Sequence, residues 1–82
     1  MPNDYEVNVT ITEHSTHWAW KVKCLGQFVA SGTAPSVYRA LRIARQYSKE
    51  DGYEFGLLKL IGRHEEHGMA HYLYGANLTI HQ

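Results

Sequence analysis

Two neighbouring segments of the chain alternate between apolar and polar residues with a period of two. The apolar positions are Tyr5, Val7, Val9 and Ile11 in the first segment and Trp18, Trp20, Val22 and Cys24 in the second. This alternation, rich in β-branched side chains, is typical of strands that bury one face and expose the other. The polar residues 14–17 between the segments predict a turn, and residues 28–33 predict a third strand of the same antiparallel meander.

The next segment has helical spacing. Thr33 or Ser36 can cap its start, Pro35 suits its first turn, and Gly52 can end it. Apolar and small residues recur along one side and predict the buried stripe: Val37, Ala40, Leu41, Ala44 and Tyr47 or Ser48. Basic residues form a band on the other side: Arg39, Arg42, Arg45 and Lys49.

The second half predicts two more strands. Its apolar residues change parity between residues 57 and 58, which indicates a strand with a bulge near Gly56. Residues 63–68 are predicted to be a polar turn, residues 69–74 a strand, and residues 77–81 an edge strand or a tail. The order β-β-β-α-β-β predicts a single α+β domain over residues 1–82, a two-layer sandwich of one helix on an antiparallel sheet. The order of strands within the sheet stays open.

Composition excludes several classes of protein. Eight basic and eight acidic residues in 82 give zero net charge, which argues against a general polyanion binder. No apolar run approaches the roughly 18 residues that a membrane span needs, and the first residues do not resemble a secretory signal. Cys24 is the one cysteine, which excludes an internal disulfide and fits a reducing cytoplasm.

No pattern in the chain is typical of a catalytic site. There is no recognisable nucleophile motif and no phosphate-binding glycine loop, so we expect neither an enzyme nor a cofactor. His64, His67 and His71 have a spacing that can converge on zinc. Because residues 63–68 are predicted to be a turn, that spacing does not stack the rings, and we predict no metal. A metal or pH-sensing site is the alternative.

Charge is segregated along the chain. Between Lys21 and Lys49 there are six basic residues and no acidic one. The basic helix face could bind phosphates, as in double-stranded RNA-binding domains, or it could bind an acidic protein surface. Zero net charge and the lack of a basic loop make a nucleic-acid-binding or antitoxin-like regulatory module, acting through this helix face, the weaker alternative.

Tyrosines give a second indication of binding. Tyr72 and Tyr74 share one face of a predicted strand, and His71 and Leu73 share the other. One of these faces must be partly exposed in a monomer, and tyrosine is enriched at the centres of protein interfaces. The partner could be another protein or a second copy of the chain.

The chain resembles a known group of proteins. The shared features, in chain order, are Thr10-Ile11-Thr12-Glu13, an alternating hairpin, Gly26, Val29, Gly32, Ala34, Ala40 and Ala44. This order resembles small anti-CRISPR proteins of Pseudomonas phages and mobile elements, which act against type I CRISPR–Cas systems. It covers about half of the chain and rests on β-β-β-α spacing. The segment Leu73-Tyr74-Gly75-Ala76-Asn77-Leu78-Thr79 is similar to a stretch of another member.

The resemblance implies an inhibitor that works by occlusion in the cytoplasm of a bacterial host. Such proteins bind the crRNA-guided surveillance complex or its helicase-nuclease and so evade antiviral defence. The group shares no common site, so the candidate partner-binding residues come from the patterns above and from acidic residues that could mimic DNA. They are Arg39, Arg42, Arg45, Lys49, Tyr72, Tyr74, Glu65 and Glu66.

Overall fold

The computed structural model describes residues 5–79, which form one helix packed on a five-stranded antiparallel sheet. The elements are β1 (Val7–Glu13), β2 (Trp18–Cys24), β3 (Gln27–Ala34), α1 (Val37–Glu50), β4 (Lys59–Glu66) and β5 (Met69–Ala76). The predicted α+β class and the order β-β-β-α-β-β are confirmed. The strand order in the sheet is β3-β2-β1-β5-β4, so the first strand lies at the centre.

The central strand β1 carries the core. Its inward residues Val7, Val9 and Ile11 are fully buried. Val9 lies opposite Val22 of β2 on one side and opposite Tyr74 of β5 on the other. The alternation that predicted this strand therefore has a simple cause, since every second side chain faces the helix and the others face the open side of the sheet.

Helix α1 begins and ends near the predicted positions. Of the two candidate caps, Ser36 is the one used, and its hydroxyl accepts a hydrogen bond of 3.2 Å from the backbone N–H of Arg39. Of the two candidates for the last buried position, Ser48 is fully buried and its hydroxyl donates to the Ala44 carbonyl oxygen. Tyr47 is 49% exposed and stacks on Trp20. Within residues 5–79 no helix is long and apolar enough to span a membrane.

The segment between α1 and β4 is not the predicted bulged strand. It contributes one isolated bridge, between Phe55 and Leu78, and the irregularity in β4 lies between Leu60 and Gly62 rather than at Gly56. Phe55 is nevertheless buried, because this connection closes part of the sheet that the helix does not reach. The predicted tail is described up to residue 79, and its residues 80 and 81 lie outside the described part.

The predicted turn at residues 63–68 is also wrong. Strand β4 continues to Glu66, and the turn consists of His67 and Gly68, both with positive φ as a two-residue hairpin turn requires. Residues 63–66 look like a loop in the sequence because they belong to an edge strand and all of them are exposed. This end of the strand has no buried face, so its residues do not alternate.

The indole of Trp20 packs directly on the backbone of Gly32, the residue opposite it on β3. A methyl group added at Gly32 would lie 2.8 Å from Cζ2 of Trp20, closer than carbon atoms pack. Trp20 is itself buried between the sheet and Tyr47, so it has little room to move.

We therefore expect Gly32→Ala to lower the free energy of unfolding by about 1–3 kcal/mol, the usual cost of overpacking a core. Gly62→Ala is the matched control, because an added methyl group there meets no atom within 4 Å. Its effect should stay within about 0.5 kcal/mol. Urea denaturation followed by circular dichroism measures both. Equal effects of the two substitutions would contradict the packing of Trp20 on Gly32.

Candidate functional site

The predicted partner-binding residues lie on three parts of the molecule. Helix α1 carries Arg39, Arg42, Arg45 and Lys49, strand β5 carries Tyr72 and Tyr74, and the end of β4 carries Glu65 and Glu66. The backbone of the helix lies close to that of β1, β2 and β3 and not to that of β4 or β5. These residues therefore do not form one continuous patch.

Arg45 is a structural residue. Its guanidinium donates two hydrogen bonds, to the carbonyl oxygens of Phe55 at 2.6 Å and Gly56 at 2.9 Å, and lies 4.6 Å from the centre of the Phe55 ring. These contacts fasten the connection between α1 and β4 to the helix. The guanidinium of Arg45 is thus engaged by partners within the fold.

The remaining basic residues are also not equivalent. Lys49 forms an exposed ion pair with Glu54, at 3.4 Å. Lys21 and Lys23 alternate with the buried residues of β2 and so project from the other face of the sheet. Within residues 5–79, only the guanidinium groups of Arg39 and Arg42 remain exposed on the helix without an acidic or carbonyl partner.

A shallow apolar groove lies beside these arginines, between α1 and the connection to β4. We call it the helix groove, and its lining residues are Tyr38, Leu41, Arg42, Arg45, Leu57 and Leu58. Tyr38 is 70% exposed and Leu57 is 81% exposed, so both contribute large apolar side chains to one exposed surface. Neither of these two residues is among the partner-binding residues predicted from the sequence. The exposure of Tyr38 could have been predicted, because Tyr38 lies outside the predicted buried stripe of the helix. The exposure of Leu57 could not, because it depends on how Arg45 holds the connection between α1 and β4.

Tyr72 and Tyr74 lie on the same face of the sheet as the helix and pack against the core while remaining half-buried. The ring of Tyr72 is 6.0 Å from that of Trp18. Burial, and then the proximity of Tyr72, raise the pKa of the Tyr74 hydroxyl above its ordinary value, so it stays protonated at neutral pH. The two tyrosines close the part of the core that lies beyond the helix.

At the end of β4 the acidic residues have local partners. Arg63 forms an ion pair with Glu65 at 3.0 Å. Side-chain hydrogen bonds, first with Tyr72 and then with Glu65, raise the pKa of Arg63. The Glu66 carboxylate lies 3.6 Å from both His64 Nε2 and His67 Nε2. Arg63 would therefore partly neutralise an acidic surface that mimics DNA here.

Four of the histidines form two stacked pairs. The rings of His14 and His17 are 4.6 Å apart, and those of His64 and His71, which lie directly opposite each other on β4 and β5, are 4.9 Å apart. The expectation that the rings do not stack was wrong for His64 and His71, because it considered spacing along the chain and not pairing across the hairpin.

Cys24 occupies the buried position that its strand parity predicted. Burial, and then the nearby carboxylate of Asp51, raise the pKa of its thiol. A raised pKa lowers the thiolate fraction at neutral pH, and the thiolate is the reactive form. Cys24 is therefore a packing residue.

No family model, curated protein or solved structure matches the chain. The function must therefore be argued from the geometry of the residues themselves.

The different roles of the arginines predict different effects on stability. Arg45→Ala removes two hydrogen bonds from a charged donor and should lower the free energy of unfolding by roughly 1.5–3 kcal/mol. Arg42→Ala, one helical turn earlier on the exposed surface, should change it by less than about 0.5 kcal/mol. Chemical denaturation of both variants measures this difference, and an equal loss in both would contradict the structural role of Arg45.

Proposed function

We propose that this chain is a protein-binding inhibitor without catalytic activity, of the anti-CRISPR kind. Its target is a type I CRISPR–Cas surveillance complex or its nuclease, in the cytoplasm of a bacterial host. The inhibitor acts by covering a surface that the target needs for binding DNA or for recruiting the nuclease. The observation that carries this proposal is the helix groove.

The composition of the helix groove is that of a protein interface. Exposed Tyr38 and Leu57 supply apolar area, and Arg42 supplies a cation at the edge. Tyrosine and arginine are the residue types that contribute most to binding energy at interface centres. An exposed apolar surface bounded by polar residues is typical of a binding site, because a monomer rarely leaves large apolar side chains together in water.

The charges near the helix groove indicate what the partner presents. Arg39 and Arg42 are exposed, and together with Ile43 and Gln46 they line the adjoining helix surface. A complementary partner surface would carry carboxylates around an apolar centre. Such charges mainly accelerate association and set orientation, while the buried apolar groups supply affinity.

Nucleic-acid binding is the weaker alternative for a structural reason. The basic residues share one segment of the sequence but lie apart in the fold. Lys21 and Lys23 are on strand β2, and Arg39 and Arg42 are on the helix. Arg45 and Lys49 are engaged by partners within the chain. Binding to a phosphate backbone depends on several cations in one stripe, since each neutralised phosphate contributes by releasing counterions.

The test is binding of the purified chain to a purified type I surveillance complex and, separately, to its helicase-nuclease. We expect a stoichiometric complex with one of them that survives raised ionic strength. Leu57→Ser and Tyr38→Ala should each weaken it about 30-fold, the effect of losing roughly 2 kcal/mol at a binding hot spot. Leu25→Ser is the matched control, because Leu25 is 60% exposed in the β2–β3 turn, outside the helix groove.

Three outcomes would overturn the proposal. The first is no complex with either assembly, and the second is an equal loss of binding in the control. The third is a dimer of the isolated chain, seen by light scattering, that Leu57→Ser dissociates, since the helix groove would then bind a second copy. Salt-sensitive binding to random duplex RNA or DNA, lost in the Arg39→Ala, Arg42→Ala double variant, would favour the nucleic-acid alternative.

A further inference from the structure

We propose that His64, Glu66 and His71 form a binding site for a zinc-type divalent cation at the end of the β4–β5 hairpin. The proposal does not depend on the proposed function or on the helix groove. Within residues 5–79 these three form the one group whose ligand atoms converge, with one nitrogen of each histidine and one carboxylate oxygen all within 4.8 Å of one another.

Strand pairing brings the three residues together. His64 of β4 and His71 of β5 are directly opposite each other, so their side chains project from the same face of the sheet. Glu66 is two residues beyond His64 on the same strand and therefore projects from that face as well. The His64 and His71 rings are nearly parallel, with an angle of 14° between their planes. The backbone thus holds the three residues in one corner of the sheet.

His71 has the features of a ligand that is already oriented. Its Nδ1 lies 2.9 Å from the hydroxyl oxygen of Thr12 on the neighbouring strand β1. In the tautomer in which Nδ1–H donates a hydrogen bond to that hydroxyl oxygen, Nε2 carries the lone pair that binds a metal. Histidine ligands in metal sites are commonly held in this way by a second hydrogen bond.

The second nitrogen of His71 lacks a partner. Its Nε2 is buried, and within the described residues no donor or acceptor satisfies it. Buried polar atoms are nearly always paired, so an unpaired one indicates a missing ligand, ion or water. The proposed cation would bind this atom.

The remaining ligands can close on a cation by rotating their side chains. Zinc bonds of about 2.0–2.1 Å place neighbouring ligand atoms roughly 3.4 Å apart in a tetrahedron, which is closer than the present separations. His64 and Glu66 are exposed, with 62% and 58% of their side-chain surfaces accessible, so both have room to change rotamer. Two imidazoles and one carboxylate suit zinc and its neighbours in the transition series and leave one position for water.

The other stacked pair provides an internal comparison. His14 and His17 stack as closely as His64 and His71, yet among the described residues no third ligand converges on them. His67 lies beside Glu66 at the turn but is not one of the converging residues. A variant of His17 therefore controls for the general affinity of surface imidazoles for metal ions.

The test uses the untagged chain and Zn²⁺ in competition with a coloured chelator, with Co²⁺ as a spectroscopic substitute. We expect one ion per chain, visible Co²⁺ absorption bands of tetrahedral strength, and a higher unfolding temperature with Zn²⁺. His64→Ala and Glu66→Gln should each weaken binding at least about tenfold and abolish the thermal shift. His17→Ala should bind as the natural sequence does.

Thr12→Val tests the orientation of His71 without removing a ligand. Loss of the hydroxyl should weaken Zn²⁺ binding by about tenfold, the usual effect of removing a hydrogen bond to a ligating histidine. The proposal is overturned if the natural chain takes up no Zn²⁺ from the chelator. It is also overturned if His64→Ala leaves binding unchanged, or if His17→Ala weakens binding as much as His64→Ala does.

Discussion

A single helix is too narrow to cover a five-stranded sheet, and this mismatch determines the rest of the structure. Five strands about 4.8 Å apart span roughly 19 Å, whereas a helix with its side chains is about 10 Å wide. Helix α1 accordingly contacts β1, β2 and β3 and leaves β5 and β4 uncovered. The connection to β4 closes part of the gap by inserting Phe55, and Arg45 fastens that connection to the helix. The helix groove lies between helix α1 and this connection.

The parts of the fold that could be predicted are those with one buried face. Strands β1 and β2 alternate because the helix covers one side of them, and α1 shows its stripe because Ala40 and Ala44 face the sheet. Strand β4 was missed at Arg63–Glu66 because neither of its faces is covered, so nothing selects for alternation. The pairing of β1 with β5 joins residues that are far apart in the chain, and no local pattern encodes such a contact.

The candidate site shows the same division. Helical spacing correctly places Arg39, Arg42 and Arg45 along one helix, but it cannot show that Arg45 has two carbonyl oxygens to bind and the others have none. That difference arises from the path of a connection without regular structure. The proximity of His64 and His71 likewise follows from the register of the β4–β5 hairpin. A turn predicted at residues 63–68 does not pair these two residues.

The end of the β4–β5 hairpin lies beyond the part of the sheet that the helix covers. From Arg63 to Glu66 every residue of β4 is exposed, and β5 pairs with β1 only from His71 onward, so the pairs Glu65–Ala70 and Glu66–Met69 extend beyond the central strand as two strands. Two strands on their own are marginally stable in water. The Arg63–Glu65 ion pair there is exposed and contributes little, since water and salt screen it. A cation bound by His64, Glu66 and His71 would join β4 to β5, and the hydrogen bond from His71 to Thr12 would extend that connection to the central strand. Small domains with thin cores commonly use a metal in this way, because its ligand bonds replace the apolar contacts that the chain is too short to make.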